Sequence, residues 1–139
     1  MSNAFKPILV IGSAVVLLVI VSLYSRPSGN EIIPWRDDYA GARNYAAQSG
    51  KLMMVDFTAD WCGPCNYMKG TTWASPAVKE ALKSYVPVRV DVDRNKELAK
   101  QFQISSIPHL FIVNADGRIL REMAGAATAD EFIEWINVR

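Results

Sequence analysis

Two cysteines separated by two residues, Cys62 and Cys65, constrain this chain more than any other feature. They follow the apolar run Leu52-Met-Met-Val-Asp-Phe57, which is typical of a strand buried on both faces. If a helix begins at Cys-Gly-Pro-Cys after that strand, both sulfur atoms lie on one face of its first turn, within bonding reach. Because these are the only cysteines among 139 residues, any disulfide within the chain joins them.

The position of Cys62 at the start of a helix predicts an activated thiol. Unpaired backbone N–H groups and the helix dipole stabilise a thiolate at such a position. Pro64 suits the first helical turn because its missing N–H is not needed there. Cys65 lies one turn deeper, so we expect it to be shielded and protonated. The pattern predicts thiol–disulfide exchange, in which Cys62 attacks a substrate disulfide and Cys65 resolves the mixed disulfide.

Other interpretations of the cysteine pair fit the sequence less well. A zinc site needs four ligands, and two cysteines with the single histidine, His109, leave it short. An inert disulfide across two residues closes too small a loop to stabilise the fold much. Two buried spectator cysteines would not explain Gly63 and Pro64 between them. We therefore expect redox chemistry with no metal and no cofactor.

The chain after residue 34 alternates between helical and strand patterns. Beside the helix that starts at the cysteines, helical spacing is found at residues 35–46, 75–85, 98–102 and 128–136, and strand patterns at 52–57, 86–92, 109–113 and 119–123. Gly50 can end the first helix, and Thr128 with Glu131 forms a capping box at the last. A strand–helix–strand crossover gives a parallel pair, and the final hairpin adds antiparallel strands. The predicted fold is α/β, with a mixed four-stranded sheet and helices on both faces.

The first 25 residues predict a membrane anchor. Residues 7–25 are uncharged, and at about 1.5 Å per residue they span roughly 28 Å, close to the hydrocarbon thickness of a bilayer. A cleaved signal peptide is the alternative, although the exit Val-Ser-Leu-Tyr-Ser-Arg offers only weak cleavage sites. Because the short tail before this segment carries Lys6, we expect a cytoplasmic N-terminus, with the rest of the chain outside.

Residues 26–34 contain Pro and Gly and predict a short linker, which leaves residues 35–139 as one domain. The chain has 15 Lys+Arg against 14 Asp+Glu, a formal net charge of +1. Without a basic surplus to neutralise phosphates, we expect no nucleic-acid partner.

The stretch VDFTADWCGPC (residues 55–65) resembles the active-site segment of thioredoxins, and Ile107-Pro108 resembles their cis-proline. From Ala59 onward, ADWCGPCNYMKGTTWASPAVKEAL is most similar to the C-terminal thioredoxin-like domain of bacterial transmembrane disulfide-interchange reductases. The resemblance covers about residues 35–138. It implies a thioredoxin fold with four or five strands, an extracytoplasmic reductase role and a partner that resupplies electrons.

The resemblance also implies roles for polar residues near the cysteines. Asp56 lies in an apolar strand, where burial is expected to raise its pKa, and by resemblance it exchanges a proton with Cys65. The alternative for Asp56 is a solvated position on an edge strand. Arg89 falls where the family has a lysine near that acid, so it either moderates the acid's charge or is a surface strand residue. His109 either tunes Cys62 or is an ordinary strand residue.

A substrate-binding groove is expected beside the cysteines. Pro108 would close it, and the backbone of Ile107 would pair with an extended substrate segment. Trp61 would shield the site and contribute apolar contact, with Gly63 and Pro64 completing the surface. The sequence departs from thioredoxins at Thr58, where an aromatic residue is usual, and at Asn66, where a basic one is common.

These patterns, together with the role that the resemblance implies, predict a membrane-anchored, extracytoplasmic oxidoreductase that reduces disulfides of client proteins. The Gly-Pro pair between the cysteines resembles that of the reducing members of the family. Their reduction potentials are about −270 mV, whereas those of strong oxidants reach about −120 mV. One cysteine pair cannot relay electrons across a bilayer, so a separate membrane donor is expected to re-reduce it. The alternatives are a disulfide oxidase or isomerase on the same fold, and a non-enzymatic module that holds clients or a metal.

Overall fold

A computed structural model describes residues 30–137 of the chain. The predicted membrane anchor, residues 1–25, and the first part of the predicted linker lie outside these residues. Within residues 30–137, no helix combines the length and the apolar character needed to cross a bilayer.

The secondary-structure elements follow the predicted order. The helices are α1 (Tyr39–Ser49), α2 (Gly63–Gly70), α3 (Pro76–Ala81), α4 (Lys96–Gln101) and α5 (Ala129–Asn137). The strands are β1 (Leu52–Thr58), β2 (Tyr85–Asp91), β3 (His109–Val113) and β4 (Ile119–Ala124). Short 3₁₀ turns follow α2 and α3, at Thr72–Ala74 and Leu82–Ser84.

The sheet has four strands in the order β2-β1-β3-β4 among the described residues. β1 pairs in parallel with β2 and antiparallel with β3, and β3 pairs antiparallel with β4. The predicted mixed four-stranded sheet is therefore confirmed, and the fifth strand that the resemblance allowed is not found in residues 30–137. The turn between β3 and β4 uses Gly117 at a φ of 87°, which a residue with a side chain rarely adopts.

The alternation of side chains along β1 divides the core into two clusters. Met54 faces α2, α3 and α5, where it joins Met68, Trp73 and Phe132. Side chains of the opposite face, among them Phe57, pack against α1 and the end of α4. Helices thus cover both faces of the sheet, and β1 is buried between them as the apolar run predicted.

The predicted cap signals are present at both ends of the domain. Gly50 ends α1 in the left-handed conformation, with a φ of 68°. At α5, the backbone N–H of Glu131 bonds to Oγ1 of Thr128, and the Thr128 N–H bonds to the Glu131 carboxylate at 2.8 Å.

The start of α1 differs from the prediction. The helix begins at Tyr39, and Trp35 instead packs with the cluster on the other face of the sheet. The reason is that Arg36 bonds along the outer edge of β2, donating to Pro87 O at 3.0 Å and accepting from Arg89 N at 2.8 Å. These bonds hold the backbone extended until Asp38, the N-cap of α1.

Residues of the predicted linker also contact the domain. Ile33 is buried in the core cluster with Met54, and Ile32 N–H donates to Trp73 O at 3.0 Å. The assigned linker, residues 26–34, therefore includes a stretch that is anchored on the folded domain.

Candidate active site

The two cysteines form a disulfide at the N-terminus of α2, directly after β1 and its following turn. Cys62 is the N-cap residue, and its Sγ accepts a hydrogen bond from the backbone N–H of Cys65 at 3.2 Å. Both side chains are 3% exposed, so in this oxidised state Cys62 is as covered as Cys65. Pro64 lies in the first turn of α2, as predicted.

The loop before β3 brings a second segment against the disulfide. Ile107 packs on the cluster of Ala59, Cys62 and Cys65, and its carbonyl oxygen lies 3.7 Å from Cys62 Sγ. The Ile107–Pro108 peptide bond is cis, as the resemblance implied. The structure thus brings together the cysteines and the Ile107-Pro108 pair, while Gly63 and Pro64 lie exposed beside them.

An apolar groove borders this site. It has a volume of about 400 Å³ and is lined by Trp61, Val92, Ala99, Ile104, Ser105, Ser106 and Ile107. Trp61 is 69% exposed, and its indole N–H donates to Asp93 Oδ2 at 2.8 Å. The exposed ring is therefore held in one orientation at the groove, where it offers apolar surface to a bound segment.

Asp56 lies on β1, six residues before Cys62 in the chain, and is 2% exposed. Burial raises the pKa of Asp56 to about 6, against the opposing effect of the Arg89 charge. Oδ2 lies 3.4 Å from both Nε and Nη2 of Arg89, and Oδ1 has no hydrogen-bond partner within the described part of the chain. The expected raised pKa is confirmed, and the edge-strand alternative is excluded because β1 is an inner strand.

Arg89 contacts the acid, but its closer partner is a residue that the sequence analysis did not identify. Its Nη1 donates to Glu31 Oε2 at 2.6 Å, and its Nη2 pairs with Glu31 Oε1. The guanidinium also lies 4.3 Å above the ring of Trp35. Glu31 is 58 positions from Arg89 in a stretch with linker composition, so no local pattern could have indicated it.

His109 makes its contacts within the sheet. Its ring stacks on Phe111 with 4.3 Å between centroids, and Nε2 lies 3.3 Å from Glu122 Oε2. Phe111 belongs to the cluster that faces α1 and α4, whereas α2 covers the other face. Both interpretations of His109, a residue that tunes Cys62 and an ordinary strand residue, stay predictions.

Metal-ligating side chains are not grouped in the described part of the chain: no cluster of three or more His, Cys, Asp or Glu residues could hold an ion.

A helix-flanked mixed sheet whose first strand leads into a Cys-Gly-Pro-Cys disulfide, facing a cis-proline, defines the class of thioredoxin-fold thiol–disulfide oxidoreductases. Residues 34–115 match the sequence profile of the thioredoxin-like family, and the chain belongs to that family.

The relatives of this chain include thioredoxins and disulfide-interchange proteins. A "Thioredoxin H-type" protein of Fagopyrum esculentum is 33% identical over 107 residues, which cover 75% of this chain and 82% of that protein. The "Thiol:disulfide interchange protein DsbD" of Actinobacillus pleuropneumoniae serotype 5b (strain L20) is 31% identical over 97 residues, covering 66% of this chain but 17% of that protein. The likeness to the second protein thus concerns one part of a much longer chain.

Solved structures of two Dsb proteins also align with this chain. The oxidised C-terminal domain of Neisseria meningitidis DsbD aligns with a TM-score of 0.62 and 28% identity, covering 73% of this chain and 95% of that domain. A structure titled "DsbH Oxidoreductase" aligns with a TM-score of 0.64 and 25% identity, covering 81% of this chain and 89% of the other.

Proposed function

We propose that the chain is a membrane-anchored, extracytoplasmic oxidoreductase that reduces disulfides of client proteins. The observation that carries the proposal is the position of Cys62 at the N-cap of α2, beside the groove lined by Trp61 and Ile107. Relatives named as disulfide-interchange proteins support an exchange reaction on proteins, and the uncharged residues 7–25 support the anchor.

The reaction follows from the order of the two thiols. The thiolate of Cys62 attacks one sulfur of a client disulfide, so a mixed disulfide forms and the first client thiolate leaves. Cys65 then loses its proton and attacks Cys62 Sγ, which forms the Cys62–Cys65 disulfide and releases the second client thiolate. Two electrons pass to the client, and its two sulfurs take up two protons.

Three residues would assist this exchange. Asp56 is a buried acid on the strand that leads to the cysteines, and its raised pKa suits it to take the Cys65 proton, through water, near neutral pH. The groove beside Ile107 would hold an extended client segment through backbone pairing, which demands little of the client's sequence. Pro108, in the cis peptide bond that follows Ile107, would close this groove beside the cysteines.

Re-reduction requires a second protein. The chain holds one dithiol and no further cysteine, so it has no internal relay for electrons. We infer a membrane thiol reductase as donor and disulfide-containing proteins as acceptors, with the bilayer contacting residues 1–25.

A trapping experiment tests the exchange. The full chain carrying Cys65→Ser, expressed in its own membrane, should accumulate client proteins disulfide-linked to Cys62. The matched control is Cys62→Ser with Cys65→Ser, which should capture none. Equal recovery from both variants would refute the proposal and favour a non-covalent holding module.

The direction of electron flow is tested by equilibrating the full chain with glutathione redox buffers. If the chain is a reductase, the reduction potential of its cysteine pair should be about −270 mV. A value between about −180 and −120 mV would identify an isomerase or oxidase instead. Protease treatment of intact and lysed cells tests the topology, since the domain should be accessible from the extracytoplasmic side.

A further inference from the structure

Arg89 contacts two carboxylates, and its contact with Glu31 is closer than its contact with Asp56. Glu31 receives both terminal nitrogens of the guanidinium in a two-pronged pair, with Nη1 at 2.6 Å from Oε2. Asp56 receives only the longer approaches of Nε and Nη2, both 3.4 Å from Oδ2. A bidentate pair is the stronger and more directional arrangement, so Glu31 determines where the guanidinium lies.

Glu31 is itself held in place by its neighbours. The indole N–H of Trp35 donates to Glu31 Oε1, and the Trp35 ring lies 4.3 Å from the guanidinium carbon. The adjoining residues are anchored by the bond from Ile32 N–H to Trp73 O and by burial of Ile33. The Glu31 side chain is 25% exposed and that of Arg89 18%, so the pair is partly screened from water.

Three elements present charged groups to Asp56. Arg89 comes from β2 and Lys69 from α2, and both stabilise the carboxylate, whereas Glu31 from the segment before α1 and burial within the sheet oppose it. Lys69 is partly engaged elsewhere, 3.5 Å from Asp60 Oδ1. The interaction of Asp56 with Arg89 therefore depends on where the guanidinium lies, and that position depends on Glu31.

We propose that Glu31 is a positioning residue that keeps the Arg89 guanidinium from pairing tightly with Asp56, so that Asp56 stays able to exchange protons with Cys65. The proposal rests on the proposed function, because it concerns the step in which Cys65 loses its proton. It assigns to a residue of the predicted linker a part in the chemistry of the domain.

The variant Glu31→Gln tests this assignment, because the amide keeps the size and the acceptor oxygen of Glu31 but loses the charge. Arg89 should then approach Asp56, and the pKa of that carboxyl should fall by roughly one unit, a tenfold change in proton affinity. In the oxidised full chain in detergent, the ¹³C resonance of the Asp56 carboxyl measures this directly. In the reduced chain, the pH profile for resolution of the mixed disulfide should move to lower pH by a similar amount.

Three further variants separate electrostatics from structure. Glu80→Gln removes an exposed acid that pairs with Lys83 on the surface at 2.6 Å, and it should leave both the titration and the pH profile unchanged. In an Arg89→Gln background, Glu31→Gln should lower the pKa of Asp56 by a clearly smaller amount, since only the direct repulsion between the two carboxylates is then removed. Glu31→Asp should restore part of the parent behaviour.

An unchanged Asp56 titration in Glu31→Gln would overturn the proposal, as would an equal shift with and without Arg89. The titration does not depend on clients or on activity. If the trapping experiment failed while the titration shifted, the proposed function would fall and the effect of Glu31 on Asp56 would stand.

Discussion

The backbone nitrogen of Cys65 lies 3.2 Å from the Sγ of Cys62 and donates a hydrogen bond to it. The same bond caps α2 and fixes the first sulfur at the positive end of the helix, where a thiolate is stabilised. We expect Cys62 to keep this position after reduction, so that the cap of α2 and the reactivity of Cys62 depend on the same hydrogen bond.

Selective alkylation of the reduced chain should show that Cys62 is ionised to a larger extent than Cys65. Iodoacetamide at neutral pH should modify Cys62 at least roughly tenfold faster than Cys65, because thiolate content controls the rate. Mass spectrometry of quenched samples gives both rates. In urea the two cysteines should react alike, and equal rates in the folded chain would contradict the assignment of Cys62 as nucleophile.

Replacement of Asp56 by Asn should stabilise the oxidised protein at neutral pH. The pKa of Asp56 in the folded chain is about 6, above its ordinary value of 3.8, so the folded state binds this proton more tightly than the unfolded state. The contribution of this proton binding to the free energy of unfolding is fully present below pH 4 and is lost as the pH rises through 6. At pH 7 the ionised acid then costs about 3 kcal/mol, most of which Asp56→Asn should recover.

Urea denaturation at pH 7 and at pH 4 checks this pH dependence. The gain from Asp56→Asn should be largest at pH 7 and small at pH 4, where the carboxyl is protonated in the folded chain. Arg89 keeps its partner Glu31 in the variant, so no buried charge is left unpaired. The exposed control Asp116→Asn should show no such dependence, and a gain of equal size at both pH values would exclude ionisation as the cause.

Removal of the Trp61 side chain should weaken the use of protein substrates. Trp61→Ala takes away exposed apolar surface at the groove, so KM for a protein disulfide should rise several-fold, with a smaller change in the reaction with a small disulfide. Steady-state reduction of insulin and of a dithiobenzoate reagent provides the comparison. Tyr67→Ala is the matched control, because Tyr67 is a 52% exposed aromatic residue on α2 that does not line this groove.

Truncation of Phe132 should destabilise the fold more than any surface change. Phe132 is fully buried, and its ring lies 5.0 Å from that of Trp73, so Phe132→Ala should cost about 3–5 kcal/mol of unfolding free energy. Ile119→Ala on β4, where the side chain is 43% exposed, should cost less than about 1 kcal/mol. Denaturant titration of both variants tests whether α5 closes the core.

Much of the fold follows from signals within a few residues. Three such signals are the apolar run of β1, the capping box of α5 and the left-handed Gly50. Each depends on residues within one element or at its end, so the sequence pattern is enough to predict it. The predicted start of α1 at Trp35 was wrong, although the spacing of Trp35 matches the helix. The hydrogen bonds of Arg36 to the edge of β2 hold that stretch extended.

The sequence by itself determined the reactive unit: a buried strand, a turn and a helix whose first turn carries Cys62 and Cys65. Only the tertiary structure decided which groups surround it. The parallel register places Arg89 opposite Asp56, and the chain before α1 returns along β2 to set Glu31 on that arginine. The physical reason is distance along the chain, because a contact across 58 residues depends on how sheet and segment pack and leaves no periodic trace in the sequence.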